Sequence, residues 1–258
     1  MTVPRVYFPR NLEDSDHFEL GKENLRYVKS VLRMKKGDRL MLFDGTGREC
    51  EAVIRQIATD TIVVEVTKRY SPRDKGLFVT LMQSLPKANK MDFIVQKATE
   101  LGADRIVPFL SSRSIPRLST EKTRLKIARW QHIAVEAARQ CGRADIPGID
   151  EILSFEEALL QPEHKTLKII FWEEETGKGV REVLCNQRYD GVKAISVIVG
   201  PEGGFTKEEV TRAVEKGFAS VSLGRQVLKV ETAALTILSI IQYEKGMFGG
   251  TSEGKDSR

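Results

Sequence analysis

The chain has 258 residues, 41% of them hydrophobic and 30% charged, with a net charge of +5. That length supplies one large domain or two ordinary ones, and the composition is that of a globular protein, not of a disordered or collagen-like chain. The longest apolar run, Ala233 to Ile241, is about half of a membrane span, and no apolar stretch opens the chain as a secretory signal would. Three widely spaced cysteines, Cys50, Cys141 and Cys185, argue against a disulfide framework and for a reducing cytoplasm. The three histidines share no metal-ligand spacing with each other or with a cysteine, so no metal site is expected.

Charge is unevenly distributed. Residues 1–75 carry 15 basic and 12 acidic side chains, residues 76–143 carry 12 and 5, and residues 144–258 carry 14 and 19. A basic first half fits either a polyanionic partner or a solvated basic face.

In chain order, Val3 to Phe8 reads as an edge strand, where Pro4 loses no ladder bond. Asn24 to Arg33 sets Leu25, Val28 and Val31/Leu32 at helical spacing. Arg39 to Phe43 and Glu49 to Ile57 flank Asp44-Gly45-Thr46-Gly47, a hairpin turn by residue type, and Thr61 to Val66 is a third strand. A compact antiparallel barrel fits this segment, and the polar run Lys68 to Lys75 reads as a linker. From Gly76 the pattern alternates. Strands are expected over Leu77–Met82, Arg105–Phe109, Leu167–Trp172, Ala194–Val199 and Ser220–Leu223. Between them, Lys87–Leu101 is an amphipathic helix burying Met91, Ile94, Val95, Ala98 and Leu101, and Thr120–Cys141 another, burying Ile127, Trp130, Ala134, Ala137 and Cys141. Ser154-Phe155-Glu156-Glu157 and Thr206-Lys207-Glu208-Glu209 spell capping boxes. Such alternation means a mostly parallel sheet covered by helices. The Gly- and Ser-rich tail, residues 247–258, is expected to be mobile.

Two loops stand out. The strand Ile195–Val199 runs into Gly200-Pro201-Glu202-Gly203-Gly204 and then the capped helix; taken alone this is equally a tight connection or a ligand loop, and no phosphate-loop spelling is present. Leu223 to Ala234 repeats the order strand, glycine, irregular segment, helix. The helix it opens begins at Glu231 and is apolar enough to be buried all round, in the core or against another subunit. Together the loops fit a pocket for an adenosine-like ligand. A third segment, Glu136 to Arg143, puts Glu136, Arg139, Gln140 and Arg143 on one helical face, either a salt-bridged solvated stripe or a functional one.

Lys90 to Gly102, Glu136 to Arg143, Gly200 to Gly204 and Leu223 to Ala234, with Arg5-Val6-Tyr7, Val31 to Met34, Gly37-Asp38 and Arg113-Ser114, resemble in order the motif set of the RsmE family. These are 16S ribosomal RNA uridine N3-methyltransferases of the SPOUT class. The resemblance covers about residues 3–245. Lys229 departs from it, standing where the family usually has arginine, as does the spelling Gln226-Val227.

The resemblance implies an α/β fold class: a PUA-like RNA-binding barrel over residues 1–72, then a SPOUT methyltransferase domain over residues 73–246 with a C-terminal trefoil knot. It implies S-adenosylmethionine as cofactor, gripped by Phe171 and Trp172, by Val199, Gly200, Pro201, Glu202, Gly203 and Gly204, and by Leu223, Gly224, Arg225, Val227, Leu228 and Val230. The partners it implies are 16S rRNA within the 30S subunit and a second copy of the chain, with no membrane and no metal. Methylation at N3 of one specific uridine needs that nitrogen to lose its proton and the base to be unpaired or extruded. Glu231 is the candidate proton acceptor or its orienter, or else a helix-cap carboxylate fixing the loop. Arg143 and Arg139 are candidates for charge stabilisation and RNA placement. Arg5, Arg10, Arg33, Lys35, Lys36, Lys87, Lys90, Arg113 and Arg117 are the expected RNA contacts. Two rival readings are a non-catalytic RNA-binding assembly factor and a dinucleotide enzyme; the glycine loops argue against the first and the missing phosphate fingerprints against the second.

Overall fold

The computed structural model describes residues 3–72, 75–114, 119–163, 165–186, 191–246 and 248. Arg117 and, apart from Phe248, the expected tail lie outside the described residues. The chain divides into two compact units, residues 1–74 with 134–146, and residues 75–133 with 147–258.

The first unit is built on a five-stranded sheet of β1 (Arg5–Tyr7), β2 (His17–Leu20), β3 (Arg39–Phe43), β4 (Glu49–Ile57) and β5 (Ile62–Tyr70), in the order β1-β3-β4-β5-β2. Alternation puts Leu40, Leu42, Cys50, Ala52, Ile54, Ile62 and Val64 inside. The sheet is mixed: β1 runs parallel to β3, because β2 and a helix intervene and give the chain room to cross back. β1 and β2, the two edges, exchange no ladder bonds among the described residues; Phe8 and Phe18 meet there instead, with ring centroids 5.3 Å apart. The expected helix is α1 (Lys22–Arg26) followed by one π-helical turn, Tyr27–Val31. The wider turn keeps Val28 buried but rotates Val31 out to 65% exposure, so the expected apolar face is broken there. The expected linker begins inside β5: Lys68, Arg69 and Tyr70 pair with Glu51, Cys50 and Glu49, and the Arg69 guanidinium donates to the Leu12 and Ser15 carbonyls and to Asp16. Residues 134–146 belong to this unit through Ile146 N–H to the Gly45 carbonyl (3.0 Å) and Gly47 N–H to the Ala144 carbonyl (3.2 Å). Gly45 has φ +85°, and a Cβ there would meet Ile146 at 3.0 Å, so this turn requires glycine.

The second unit is a parallel sheet of β6 (Phe78–Ser84), β7 (Arg105–Leu110), β8 (Gly148–Ile149), β9 (Leu153–Ser154), β10 (Leu167–Phe171), β11 (Ala194–Val199) and β12 (Ala219–Val221). The order is β12-β10-β11-β6-β7-β8, with β9 also on β7, and every pair is parallel. β11 is buried from Ile195 to Val199, as a strand covered on both faces must be. The helices are α2 (Lys90–Glu100), α3 (Thr120–Cys141), which from Ala134 onward is counted with the first unit, α4 (Phe155–Leu159), α5 (Val180–Leu184), α6 (Lys207–Glu215) and α7 (Val230–Glu244). α2 starts three residues later than its periodicity indicates, because Ala88 takes φ +56°, which a helix cannot continue through. It buries Met91, Ile94, Val95 and Ala98 as expected, and Leu101 is half-buried. α3 buries Trp130, Ala134 and Ala137, whereas Cys141, at its last position, is exposed. Both capping boxes form, Ser154 with Glu157 and Thr206 with Glu209. α7 is not buried all round: Ala234, Ile237, Leu238 and Ile241 are inside, Leu235 and Ile240 are half-buried, and Tyr243 is 67% exposed. Among the described residues no helix is long and apolar enough to cross a membrane.

Candidate functional site

β12, β10 and β11 are adjacent and parallel, so their carboxyl ends and the segments that follow open on one edge of the sheet. Those segments wall a cavity of about 340 Å³. It is lined by Phe171, Trp172 and Glu173 after β10, by Val199, Gly200, Pro201, Glu202 and Gly204 after β11, and by Ser222 to Val230 after β12, with Lys90 and Ala233 completing it. Ligands of open α/β sheets sit at such carboxyl ends. Every residue expected to hold the cofactor contributes to this lining except Gly203.

The β11 loop owes its course to its glycines. A Cβ on Gly200 would meet the Phe205 ring at 3.2 Å. At Gly204 φ is +66°, and an added Cβ would land inside the Glu173 carboxylate. Phe205 (1% exposed) anchors the loop in the core, stacked on Phe109 and tilted against Phe155. Gly203 faces away from the cavity toward Arg113, whose guanidinium donates to the Gly203 carbonyl (2.7 Å) and to that of Phe205 (3.3 Å). Glu209 ties the next turn down. Its carboxylate accepts from Thr206 N–H at 2.9 Å and from Ser112 N–H, beyond β7, at 2.8 Å.

Charge gathers on one wall. The Lys90 ammonium, at the first residue of α2, lies 2.8 Å from Glu202 Oε1 and 3.4 Å from Glu231 Oε2. Glu202 also accepts from Lys87 N–H. Burial pulls the Glu202 carboxyl up, but the Lys90 ammonium and the backbone N–H donors outweigh it and hold it below the usual carboxylate range. The bond to Glu202 raises the Lys90 ammonium above its ordinary value, with Glu231 adding to the effect, so Lys90 stays cationic. Glu231 Oε2 is buried and makes no hydrogen bond, although it faces that ammonium.

The remaining expected residues are dispersed. Arg139 and Arg143 belong to the first unit. The Arg139 guanidinium lies 3.7 Å over the Tyr27 ring and pairs with Glu136, and Arg143 pairs with Asp145. Arg5 is engaged by Glu49 (2.9 Å) and by the Arg143 carbonyl (3.0 Å). Arg10, Arg33, Lys35 and Lys36 are exposed, and Arg33 takes φ +53° where the π turn ends. Lys87 and Arg113 are exposed in the second unit. Lys90, expected as an RNA contact, stands on the cavity wall instead, engaged by Glu202 and Glu231, and Glu173 became visible only through its contact with Gly204. No group of three or more His, Cys, Asp or Glu among the described residues could hold a metal ion.

Two family models match in the order of the two units: an RNA methyltransferase PUA domain over residues 20–67 and an RNA methyltransferase domain over residues 73–242. Fold and cavity together are those of a PUA-bearing RNA methyltransferase with an α/β catalytic domain. The chain is 30% identical over 247 residues to the ribosomal RNA small subunit methyltransferase E of Bacillus subtilis, covering 93% of this chain and 95% of that one. It is 32% identical to the enzyme of that name from Neisseria gonorrhoeae, whose crystal structure is bound to S-adenosyl methionine, with a TM-score of 0.83 over 94% of this chain and 98% of that one. A Legionella pneumophila protein solved in complex with the same cofactor gives 31% identity, a TM-score of 0.83 and the same coverage. The chain belongs to the ribosomal RNA small subunit methyltransferase E family.

Proposed function

We propose that this enzyme methylates N3 of one uridine in 16S rRNA on the small ribosomal subunit, using S-adenosylmethionine and acting in the cytoplasm, where that subunit is. The observation that carries the reading is the cavity walled by three loops, two of them lined with glycine, with the half-buried Glu231 carboxylate held beside it by Lys90. The cavity suits an adenosyl ligand: its volume is at the lower end for a ligand pocket, Phe171, Val199, Leu228 and Val230 give apolar walls, and glycines let a ligand approach the backbone. Trp172 Nε1, buried with no hydrogen-bond partner, is a donor still lacking an acceptor. Both solved relatives named above bind this cofactor.

When bound, the cofactor supplies a methyl group on a sulfonium. The chain's own residues prepare the acceptor. Glu231 takes the proton from N3, which leaves the nitrogen's electron pair available to the methyl group that the cofactor would supply. Lys90 holds Glu231 in place and, together with Glu202, fixes the β11 loop against the start of α7. N3 lies on the Watson–Crick edge, so the uridine is extruded before reaction.

In this reading residues 1–72 form the RNA-holding domain and 73–246 the catalytic one. Arg10, Arg33, Lys35 and Lys36 on the first and Lys87 on the second meet phosphates, and Arg139 and Arg143 help to place the RNA. Arg5 and Arg113 act by ordering the backbone they bind. The knotted second domain is carried by the family resemblance, and the strand order, with β12 beyond β10, accommodates it. A homodimer is supported by the half-buried Leu235 and Ile240 and the exposed Tyr243 along α7. The test is methyl transfer from labelled S-adenosylmethionine to undermethylated 30S subunits, with the product nucleoside identified by mass. N3-methyluridine in 16S RNA is the expected result. A folded enzyme that binds neither cofactor nor 30S, or one that labels another nucleoside, overturns the proposal.

A further inference from the structure

The first unit carries an exposed ridge that its own packing does not account for. Between residues 26 and 39 stand six basic side chains, Arg26, Lys29, Arg33, Lys35, Lys36 and Arg39, against one acid, Asp38. All six are exposed and none forms an ion pair among the described residues, whereas Arg48, Arg55 and Arg69 of the same unit each meet a carboxylate. The Asp38 carboxylate is turned to the backbone instead, accepting from Lys35 N–H at 2.7 Å. Within this run of cations one apolar side chain, Val31, is 65% exposed. The backbone puts it there. The π turn closes with Leu32 N–H on the Tyr27 carbonyl (3.0 Å), one residue wider than an α turn, and Met34 N–H returns to the Val28 carbonyl (3.0 Å). Val28 and Met34 are thereby buried while Val31 faces out. Arg33 takes a left-handed φ of +53°, unfavourable for a residue with a Cβ, where this reversal is made. Unpaired cations fit a polyanion, but an isopropyl group offers a phosphate nothing. The apolar surface that a single-stranded polyanion does possess is the face of an unstacked base.

We infer that Val31 is a base contact: it packs against the face of an unpaired nucleotide of the RNA, while Lys29, Arg33, Lys35 and Lys36, which flank it in the chain, hold neighbouring phosphates. The π turn and the strained Arg33 backbone are the means by which a short helix presents an apolar tip among cations. The inference rests on the RNA reading above and adds to it a contact that charge does not supply.

Its test is equilibrium binding of the full chain to undermethylated 30S subunits over a series of KCl concentrations, for the unaltered enzyme, V31S, R33G and K36Q. V31S is expected to bind about tenfold more weakly at every salt concentration, with the slope of log affinity against log salt unchanged, because it removes apolar surface and no charge. R33G and K36Q are each expected to flatten that slope by about one unit. V31S should still bind S-adenosylhomocysteine as the unaltered enzyme does, which separates a lost contact from a lost fold. Independently of that variant, Val31→p-benzoylphenylalanine irradiated on the 30S subunit is expected to cross-link to an unpaired nucleotide of 16S rRNA. Unchanged 30S binding by V31S, or a slope flattened as in R33G, overturns the base contact. So does a cross-link that falls on a ribosomal protein, on a base-paired helix or on nothing. If R33G and K36Q keep the original slope, the ridge does not meet RNA and the inference falls while methyl transfer stands. An unaltered enzyme that does not bind 30S subunits overturns the RNA reading itself, and the contact with it.

Discussion

Glu209 tests whether the β11 loop is held from its far end. The residue is 1% exposed, and its two carboxylate oxygens each take one backbone N–H, Ser112 at 2.8 Å and Thr206 at 2.9 Å. E209A leaves both donors without a partner. Each costs about 1–3 kcal/mol when orphaned, and because both bonds are only part-buried the lower half of that range applies, giving about 2–4 kcal/mol in all. E209Q keeps one acceptor oxygen and turns an NH₂ toward the other N–H, so it loses about half as much. Urea denaturation followed by tryptophan fluorescence measures this cleanly, since Trp130 and Trp172 are the only two tryptophans and both lie in the second unit. Cofactor affinity should fall in the same order, because the glycine loop enters α6 through this anchor. A glutamine variant as unstable as the alanine one, or an alanine variant within about 1 kcal/mol of the parent, would refute the two-bond account.

E231Q should lower kcat by about 10²- to 10⁴-fold while cofactor binding by calorimetry stays intact; retained turnover removes Glu231 from the chemistry. G204A strains a left-handed position and displaces Glu173, so it should cost about 1–3 kcal/mol of stability and about tenfold in cofactor affinity, and an unchanged affinity argues against the close approach at that loop. Glu202 has a depressed carboxyl pKa, so its pairing with Lys90 stabilises the fold above the ordinary carboxylate range and is lost as pH falls through the depressed value; Lys90 is raised, so the same pair is also lost as pH climbs through its raised value. K90M should therefore flatten both limbs of the stability–pH profile, and a profile unchanged in shape contradicts the pairing. Of the three thiols, Cys141 and Cys185 are exposed and should react with a disulfide reagent in the native enzyme, whereas Cys50, buried with its thiol pushed up to about 11, should react only on unfolding.

What could be read from the chain was whatever a backbone demands locally. The strand over Ala194–Val199, the helix over Thr120–Cys141 and both capping boxes emerge at their expected places because apolar periodicity and side-chain caps act within a few residues. Elements that depend on distant partners were not legible. β8 and β9 have two residues each and exist only because β7 offers them an edge. The parallel pairing of β1 with β3 is equally non-local, and the π-helical turn places Val31 on the wrong side of a face that an ordinary 3.6-residue period would have kept. α5 is a single short stretch without a side-chain cap, leaving little pattern to recognise.

The same division runs through the site. Glycines at 200, 204 and 224 announce loops because few other residues could take those courses, so the cavity walls were visible before the fold. Charged residues carry no such mark, since a surface lysine or glutamate is the ordinary case. Lys90 acquires meaning only when the fold brings Glu202 and Glu231 to it, and Glu173 only when Gly204 makes a seat for it. The acidic balance of residues 144–258, which on charge alone sets this half apart from a polyanion, follows in part from the same placement. Its loops supply three of the carboxylates at and beside the cavity, Glu173, Glu202 and Glu231. A binding site for a ligand that carries hydroxyl donors and a positive centre needs acids there, whereas the exposed Arg10, Arg33, Lys35 and Lys36 of the first unit suit a phosphate backbone. In the proposed function the chain meets two chemically opposite ligands, and its uneven charge fits that pairing.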